Sequence, residues 1–359
     1  MATKSQHYVP RVYLKEWETK VETSKEPQKQ FDGVYYFGKE ASCGEGSTRD
    51  SILWKPHLYT ISFRQLYLAT KCPKVYNFFA EEIYQSMINN SPQPVYGKLN
   101  YSVIKTQKSV HKHLLDIDNW DFYYYDGTTA RKKSLLNRFN DMRCYILEDS
   151  FNSIFESKWE DILHSFIYEI KNTVPVFGAS CERKISEKVA KDMMEFFFMM
   201  LCRSPQFDAM GIYSCMSDIL KQSFGGIKEV DEMMDAVWFT ELYRMFYKAN
   251  GGFYHTALSK AVDICQFILF ETYPDAGTFI TSDNPAFQHI SHVEATNMNG
   301  YYFPIDPNHL LMITKGSAAV NIVDYRMANS NLIKKFNQVI ASHSKELIIS
   351  KEKDRSKIL

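Results

Sequence analysis

The chain has 359 residues, 45% of them apolar, which suffices to bury a substantial core and excludes an intrinsically disordered protein. Its 42 lysines and arginines balance 42 aspartates and glutamates, so no overall charge draws it to nucleic acid or to an anionic membrane. The longest apolar run, residues 196–202, is far below the roughly 20 needed to span a bilayer, the amino terminus lacks an apolar signal region, and seven scattered cysteines form no CxxC pair, which together predict a cytoplasmic protein with reduced thiols and without structural zinc or a disulfide framework.

His7-Tyr8-Val9-Pro10 leads into residues 11–17, where proline at the helix start and the apolar positions Tyr13, Leu14 and Trp17 predict a short helix that pins the histidine. Residues 30–38 alternate towards Val34-Tyr35-Tyr36-Phe37 and predict a strand, and the polar, glycine-bearing residues 39–50 predict a mobile loop. A helix is expected near 75–88, then a proline-rich break at 91–94 and a strand over 120–125 that ends at Asp126-Gly127. Lys105, Lys108, Lys112, Arg131, Lys132 and Lys133 make this the most basic part of the chain. Aromatic residues are not regularly interleaved with these charges, so a solvated surface is favoured over a nucleic-acid track.

Residues 135–171 carry the longest helical pattern. At 100° per residue Phe151, Phe155, Trp159, Ile162 and Phe166 form an apolar stripe with Glu148 on its centre line, and Glu156 lies about 80° round from Glu148, at the stripe's edge. A carboxylate on such a face must be protonated, paired or metal-bound, because desolvating it alone costs several kcal/mol. A second helix over 186–202 places Val189, Met193, Phe196 and Met200 on one face, with Arg203 continuing the line before Ser204-Pro205. Opposite charges on two apolar stripes predict a buried Glu148 to Arg203 pair or a pocket that both line, and a salt bridge that merely pins the helices is the competing reading.

Further helices are expected over 231–249 and 252–261. Residues 265–273 and 278–281 then predict strands joined by the turn Pro274-Asp275-Ala276-Gly277, and 301–305 and 310–314 two more around Asp306-Pro307-Asn308. An amphipathic helix over 324–342 and a strand over 346–350 close the chain. The fold class this predicts is α+β, in a single domain over 1–359: a predominantly helical middle, 139–262, packed against a small antiparallel sheet built from the N-terminal and C-terminal segments.

The two terminal motifs resemble those of an uncharacterised bacterial family, domain of unknown function 4238, recognised by an HYVP motif and a DNP motif. They stand here as His7-Tyr8-Val9-Pro10, extended by Tyr13-Leu14 and Trp17, and as Thr281-Ser282-Asp283-Asn284-Pro285. Leu58-Tyr59-Thr60, the paired glutamates Glu148 and Glu156, Arg203-Ser204-Pro205 and Phe303-Pro304-Ile305 resemble further segments of the family. Val12 and Trp17 depart from residues more common there, and 60–138 looks like a family-variable insertion. The resemblance brings no reaction with it, so the chemistry rests on the residues.

His7 titrates near neutrality and suits a general base, acid or metal ligand, or else a core histidine bonded to a backbone carbonyl. Asp283-Asn284-Pro285 makes either a plain Asx-turn or a carboxylate aimed from a strand end. Catalysis by His7, Glu148 and Asp283 is expected, with Tyr8, Arg11, Tyr59, Arg203 and Asn284 on the substrate. Glu148, Glu156 and Asp283 are the expected ligands of Mg²⁺ or Mn²⁺, hard ions that suit carboxylates and hydrolysis of a phosphodiester or nucleotide. Metal-free modification of a nucleotide such as NAD, and a non-catalytic module whose motifs only close the fold, are the alternatives. Nucleotide or nucleic acid is the expected partner class, without a membrane. GxSxG, Walker, GxGxxG and HExxH patterns do not occur, and His111, His113, His289 and His292 read as surface residues.

Overall fold

Alternation along the strand Cys265–Thr272 organises the larger part of the molecule, because its two faces both become buried. The computed structural model describes residues 5–56, 58–59, 73–176, 179–205, 242, 245, 253–290, 299–316 and 319–359. They fall into two compact units, one of His7–Lys55, Asn152–Ala209 and Tyr254–Leu359, the other of Met1–Gln6, Pro56–Phe151 and Met210–Phe253. The architecture is mixed α+β. The helix expected over 231–249 lies outside the described residues except at Leu242 and Met245, which are both helical and buried.

In the first of these units a seven-stranded sheet runs in the order Phe287–His289, Gly300–Asp306, His309–Lys315, Cys265–Thr272, Ile322–Ala328, Ala179–Lys184, Pro175–Val176. Neighbours are antiparallel except Cys265–Thr272 and Ile322–Ala328, which run parallel, so the sheet is larger and less uniform than the sequence suggests. Phe267 meets Phe166, while Phe303 meets Tyr13, Trp159, Phe196 and Phe197 on the same face. On the opposite face Phe270 and Tyr302 meet Phe336 of the helix Ser330–His343. Each fully buried phenylalanine contributes roughly 1.5–3 kcal/mol of transfer free energy. That helix also shares one buried cluster with Phe37 and Ile348, residues of a second sheet, ordered Thr281–Ser282, Leu347–Ser350, Phe31–Gly38, Thr19–Val21. This second sheet is the one that joins the N-terminal and C-terminal segments.

Four local expectations change. Residues 324–342 are not one helix: Ile322–Ala328 is a strand held by parallel pairing with Phe267–Thr272, and the helix starts only after Asn329, whose side chain accepts the Leu332 N–H. Pairing to a buried neighbour outweighs the weak helical pattern of that stretch. Thr281–Ser282 pairs with Ile348–Ile349 rather than returning along Cys265–Thr272, because Asp275 and Gly277, both at positive φ, turn the chain out of the sheet. The expected mobile loop 39–50 is tied down: Glu45–Ser47 pairs with Val34–Tyr36, and a side chain at Gly46 would fall 2.4 Å from the Glu22 carbonyl. Finally, the long helical pattern divides into Lys132–Ile154 and Trp159–Asn172, separated by Phe155 and a 3-10 turn at Glu156–Lys158.

The other unit holds a three-stranded antiparallel sheet, Ser102–Ile104, Val95–Leu99, Asp121–Tyr124, which the helices Pro73–Ile88 and Gln107–His113 contact, and Phe79, Val110 and Trp120 are fully buried. Most of the expected insertion 60–138 forms this part. No described helix is long and apolar enough to cross a membrane.

Candidate functional site

The HYVP segment is built as an anchor. Pro10 accepts from the Leu14 N–H and opens the helix Arg11–Leu14, and the helix buries Tyr13 and Leu14, with Trp17 following, completely. Tyr13 Oη donates to the Pro304 carbonyl at 2.6 Å and lies 2.7 Å from Thr281 Oγ1, while Trp17 Nε1 donates to the Phe279 carbonyl at 3.4 Å. The two terminal motif regions therefore meet, through Tyr13 and Thr281.

His7 is held from both ends. Its carbonyl accepts from Arg203 Nε at 3.1 Å and from Arg203 Nη2, and its ring Nε2 lies 3.3 Å from the Asp50 carbonyl. Burial, and the nearby Arg11 and Arg203 charges, lower the imidazole below its ordinary value, which favours its neutral form. The Tyr8 N–H donates to Leu53 O, and the Lys55 ammonium sits 5.9 Å from the centre of the Tyr8 ring.

Arg203, 1% exposed, ends the helix Glu187–Arg203 and pairs through Nη1 with Glu156 Oε1. The break at Phe155 is what re-aims Glu156, placed by helical phasing at the edge of the stripe, towards this guanidinium. A buried arginine needs its donors filled, and its fork is divided between a carboxylate and a main-chain oxygen. Glu148 is half-buried and Tyr59 fully buried in the other unit, where the Tyr59 N–H donates to Gln6 Oε1.

Asp283 has a different neighbourhood from His7. Its Oδ1 accepts from the Lys345 N–H at 2.8 Å and its Oδ2 from Glu346 and Leu347 at 2.6 and 3.2 Å. Burial pushes the carboxyl up, against the pull of these three donors. Asn284 Nδ2 donates to His343 O, so the DNP turn stitches the end of Ser330–His343 to the strand that follows.

An open cleft of about 450 Å³ lies beside the anchored wall, lined by Arg11, Val12, Lys15, Glu16, Arg49, Asp50, Glu156, Ser157 and Glu160. Arg11 pairs with Asp50 at 3.1 Å and Lys15 with Glu160 at 3.3 Å, both on exposed side chains whose pairing is weak and exchangeable. Burial raises the Glu16 carboxyl, and Asp306 and Glu160 push the same way. A perturbed carboxyl in a cleft is a functional signal that helical phasing does not reveal, because it depends on residues such as Asp306 brought from elsewhere in the chain.

A second charged cluster also escaped the sequence. His309 Nδ1 lies 2.7 Å from Asp306 Oδ2 and its Nε2 lies 3.7 Å from Glu271 Oε2, while Glu271 also takes Lys171 at 2.7 Å and the Tyr325 hydroxyl. Its only trace in the sequence is the Asp306-Pro307-Asn308-His309 turn, which puts Asp and His three residues apart.

Of the carboxylates expected to hold Mg²⁺ or Mn²⁺, Asp283 has both oxygens engaged by main-chain N–H groups and Glu156 is engaged by Arg203. Among the described residues, histidines, cysteines and carboxylates form no group of three with metal-binding geometry.

No curated protein and no solved structure matches the chain. A family profile does, over residues 5–354, the span from the HYVP anchor to the strand that Asp283 caps, and the chain belongs to the family of proteins of unknown function DUF4238.

Proposed function

We propose that the cleft between Arg11 and Glu160 hydrolyses a phosphate-bearing substrate of the nucleotide or phosphodiester class. Glu16 carries this reading: a carboxyl raised by burial, lining a cleft beside the cations Arg11, Lys15 and Arg49. A raised carboxyl keeps its proton closer to neutrality, which suits a general acid. In the proposed step the cations take the phosphate oxygens, water attacks phosphorus and releases a proton to bulk solvent, and Glu16 gives its proton to the leaving oxygen as the P–O bond breaks and is reprotonated from solvent. Asp50, Glu156 and Glu160 offer acceptors for ribose hydroxyls or a base amino group. His7 and Arg203 are positioning residues that hold the wall carrying Asp50 and Glu156. No step passes through a metal, and the free thiols of Cys43, Cys181, Cys202 and Cys265 are in keeping with a cytoplasmic location.

The test is turnover of mononucleotides, dinucleotides and single-stranded RNA by the wild type and Glu16→Gln, with and without EDTA. Turnover that survives EDTA and falls about 10²–10⁴-fold in Glu16→Gln supports the proposal. Equal rates for the two proteins overturn it. A second reading, binding without chemistry, is favoured by the main-chain engagement of Asp283 and Asn284. It requires that a nucleotide raise the melting temperature of the wild type and not of Arg11→Ala or Arg49→Ala, without any product.

A further inference from the structure

We infer that the three-stranded sheet Ser102–Ile104, Val95–Leu99, Asp121–Tyr124 is a platform for single-stranded nucleic acid. One face of this sheet packs on the unit's core through Val95, Ile104 and Phe122, each at most 2% exposed. Strand registry then sends Tyr96, paired with Tyr123, and Lys98, paired with Val103 and Asp121, to the opposite face. That face is open: Val103 is 49% and Tyr125 62% exposed, and Tyr101 at the hairpin tip is fully exposed.

The rings and charges form one surface. Tyr96 and Tyr123 stack at 5.9 Å, Tyr125 stands 5.5 Å from Tyr96, and the Lys98 ammonium lies 4.6 Å from the Tyr123 ring centre and 5.7 Å from that of Tyr96. Linear order hides this, because Tyr96 and Tyr123 are far apart in sequence and only strand pairing interleaves lysine with tyrosine. Residues 95–133 contain seven lysines and arginines against four aspartates and no glutamate, so this segment is net basic. A strand's phosphates take Lys98, and its unpaired bases stack on the exposed tyrosine faces. Duplexes keep their bases stacked inside and gain only the charge term, so single strands are preferred.

Fluorescence anisotropy with a labelled oligouridylate, and with a DNA duplex of equal length, tests this on the full chain. The wild type binds the single strand more tightly than the duplex, with affinity that falls steeply as salt rises. Tyr125→Ala and Lys98→Ala each weaken it about tenfold. Both side chains reach solvent, and circular dichroism checks that the variants fold. Tyr125→Ala leaves mononucleotide turnover at the Glu16 cleft unchanged, which separates this proposal from that one. Wild type that does not bind at low salt, or variants that bind as the wild type does, overturn it. Self-association in sedimentation that Tyr125→Ala abolishes assigns the face to a second copy of the chain instead, and overturns it equally.

Discussion

The Tyr13 hydroxyl, buried without solvent exposure, bridges the two ends of the chain by contacting Thr281 Oγ1 at 2.7 Å and donating to Pro304 O at 2.6 Å. Burial raises this phenol well above its ordinary value, so it remains a neutral donor at every working pH. Tyr13→Phe keeps the ring stack with Phe303 and removes only the hydroxyl, leaving buried acceptors short of a donor. The expected loss is about 1–3 kcal/mol, read as a lower denaturation midpoint. Thr281→Val in the same background adds less than it costs alone, and full additivity would show that the two side chains are energetically separate.

Arg203 gives a larger and more diagnostic effect. Removing the guanidinium in Arg203→Ala leaves Glu156, 12% exposed, uncompensated, at an expected cost of about 3–5 kcal/mol. Glu156→Gln costs less, because an amide can still accept from Nη1. The double variant Arg203→Met, Glu156→Met recovers part of the loss, and urea unfolding of the four proteins measures it. A double variant as unstable as Arg203→Ala contradicts the view that the uncompensated charge dominates.

Asp283 is expected to matter for stability and not for turnover. Asp283→Ala leaves three N–H groups, those of Lys345, Glu346 and Leu347, without their acceptor, and the loss is about 1–3 kcal/mol. Activity per folded molecule stays as in the wild type, checked well below the variant's melting temperature. Lost activity in a folded Asp283→Ala protein would restore this residue to the chemistry.

The pH dependence of stability follows from His309 and Glu271. Burial alone would lower His309, but Asp306 and Glu271 outweigh it and raise the imidazole to about 9. A raised folded value means that its stabilisation is complete below the unfolded value of about 6.5 and drains away as pH rises through about 9. Glu271, lowered to about 2 chiefly by His309, stabilises above its ordinary value and loses that contribution as pH falls towards about 2. Melting temperature should therefore fall between pH 7 and 10, and His309→Gln should flatten that decline. A parallel decline in both proteins would place its cause elsewhere.

Periodicity made the individual elements legible: the strands Phe31–Gly38 and Leu347–Ser350, the hairpin Gly300–Asp306 with His309–Lys315, and the helix capped by Ser186 all carry local patterns of their own. The two terminal motifs sufficed for the family. Sequence also located the anchors, since Tyr13, Trp17 and Arg203 stand out by type and position.

Partnership was decided by tertiary structure alone. One turn of 3-10 helix turns Glu156 towards Arg203, backbone donors from residues 345–347 claim Asp283, and burial near Asp306 perturbs Glu16. Each outcome depends on distances and desolvation between residues far apart in the chain, quantities that no local repeat encodes. Sequence determines which side chains carry charge, and packing determines which of those charges are already satisfied and which face a ligand.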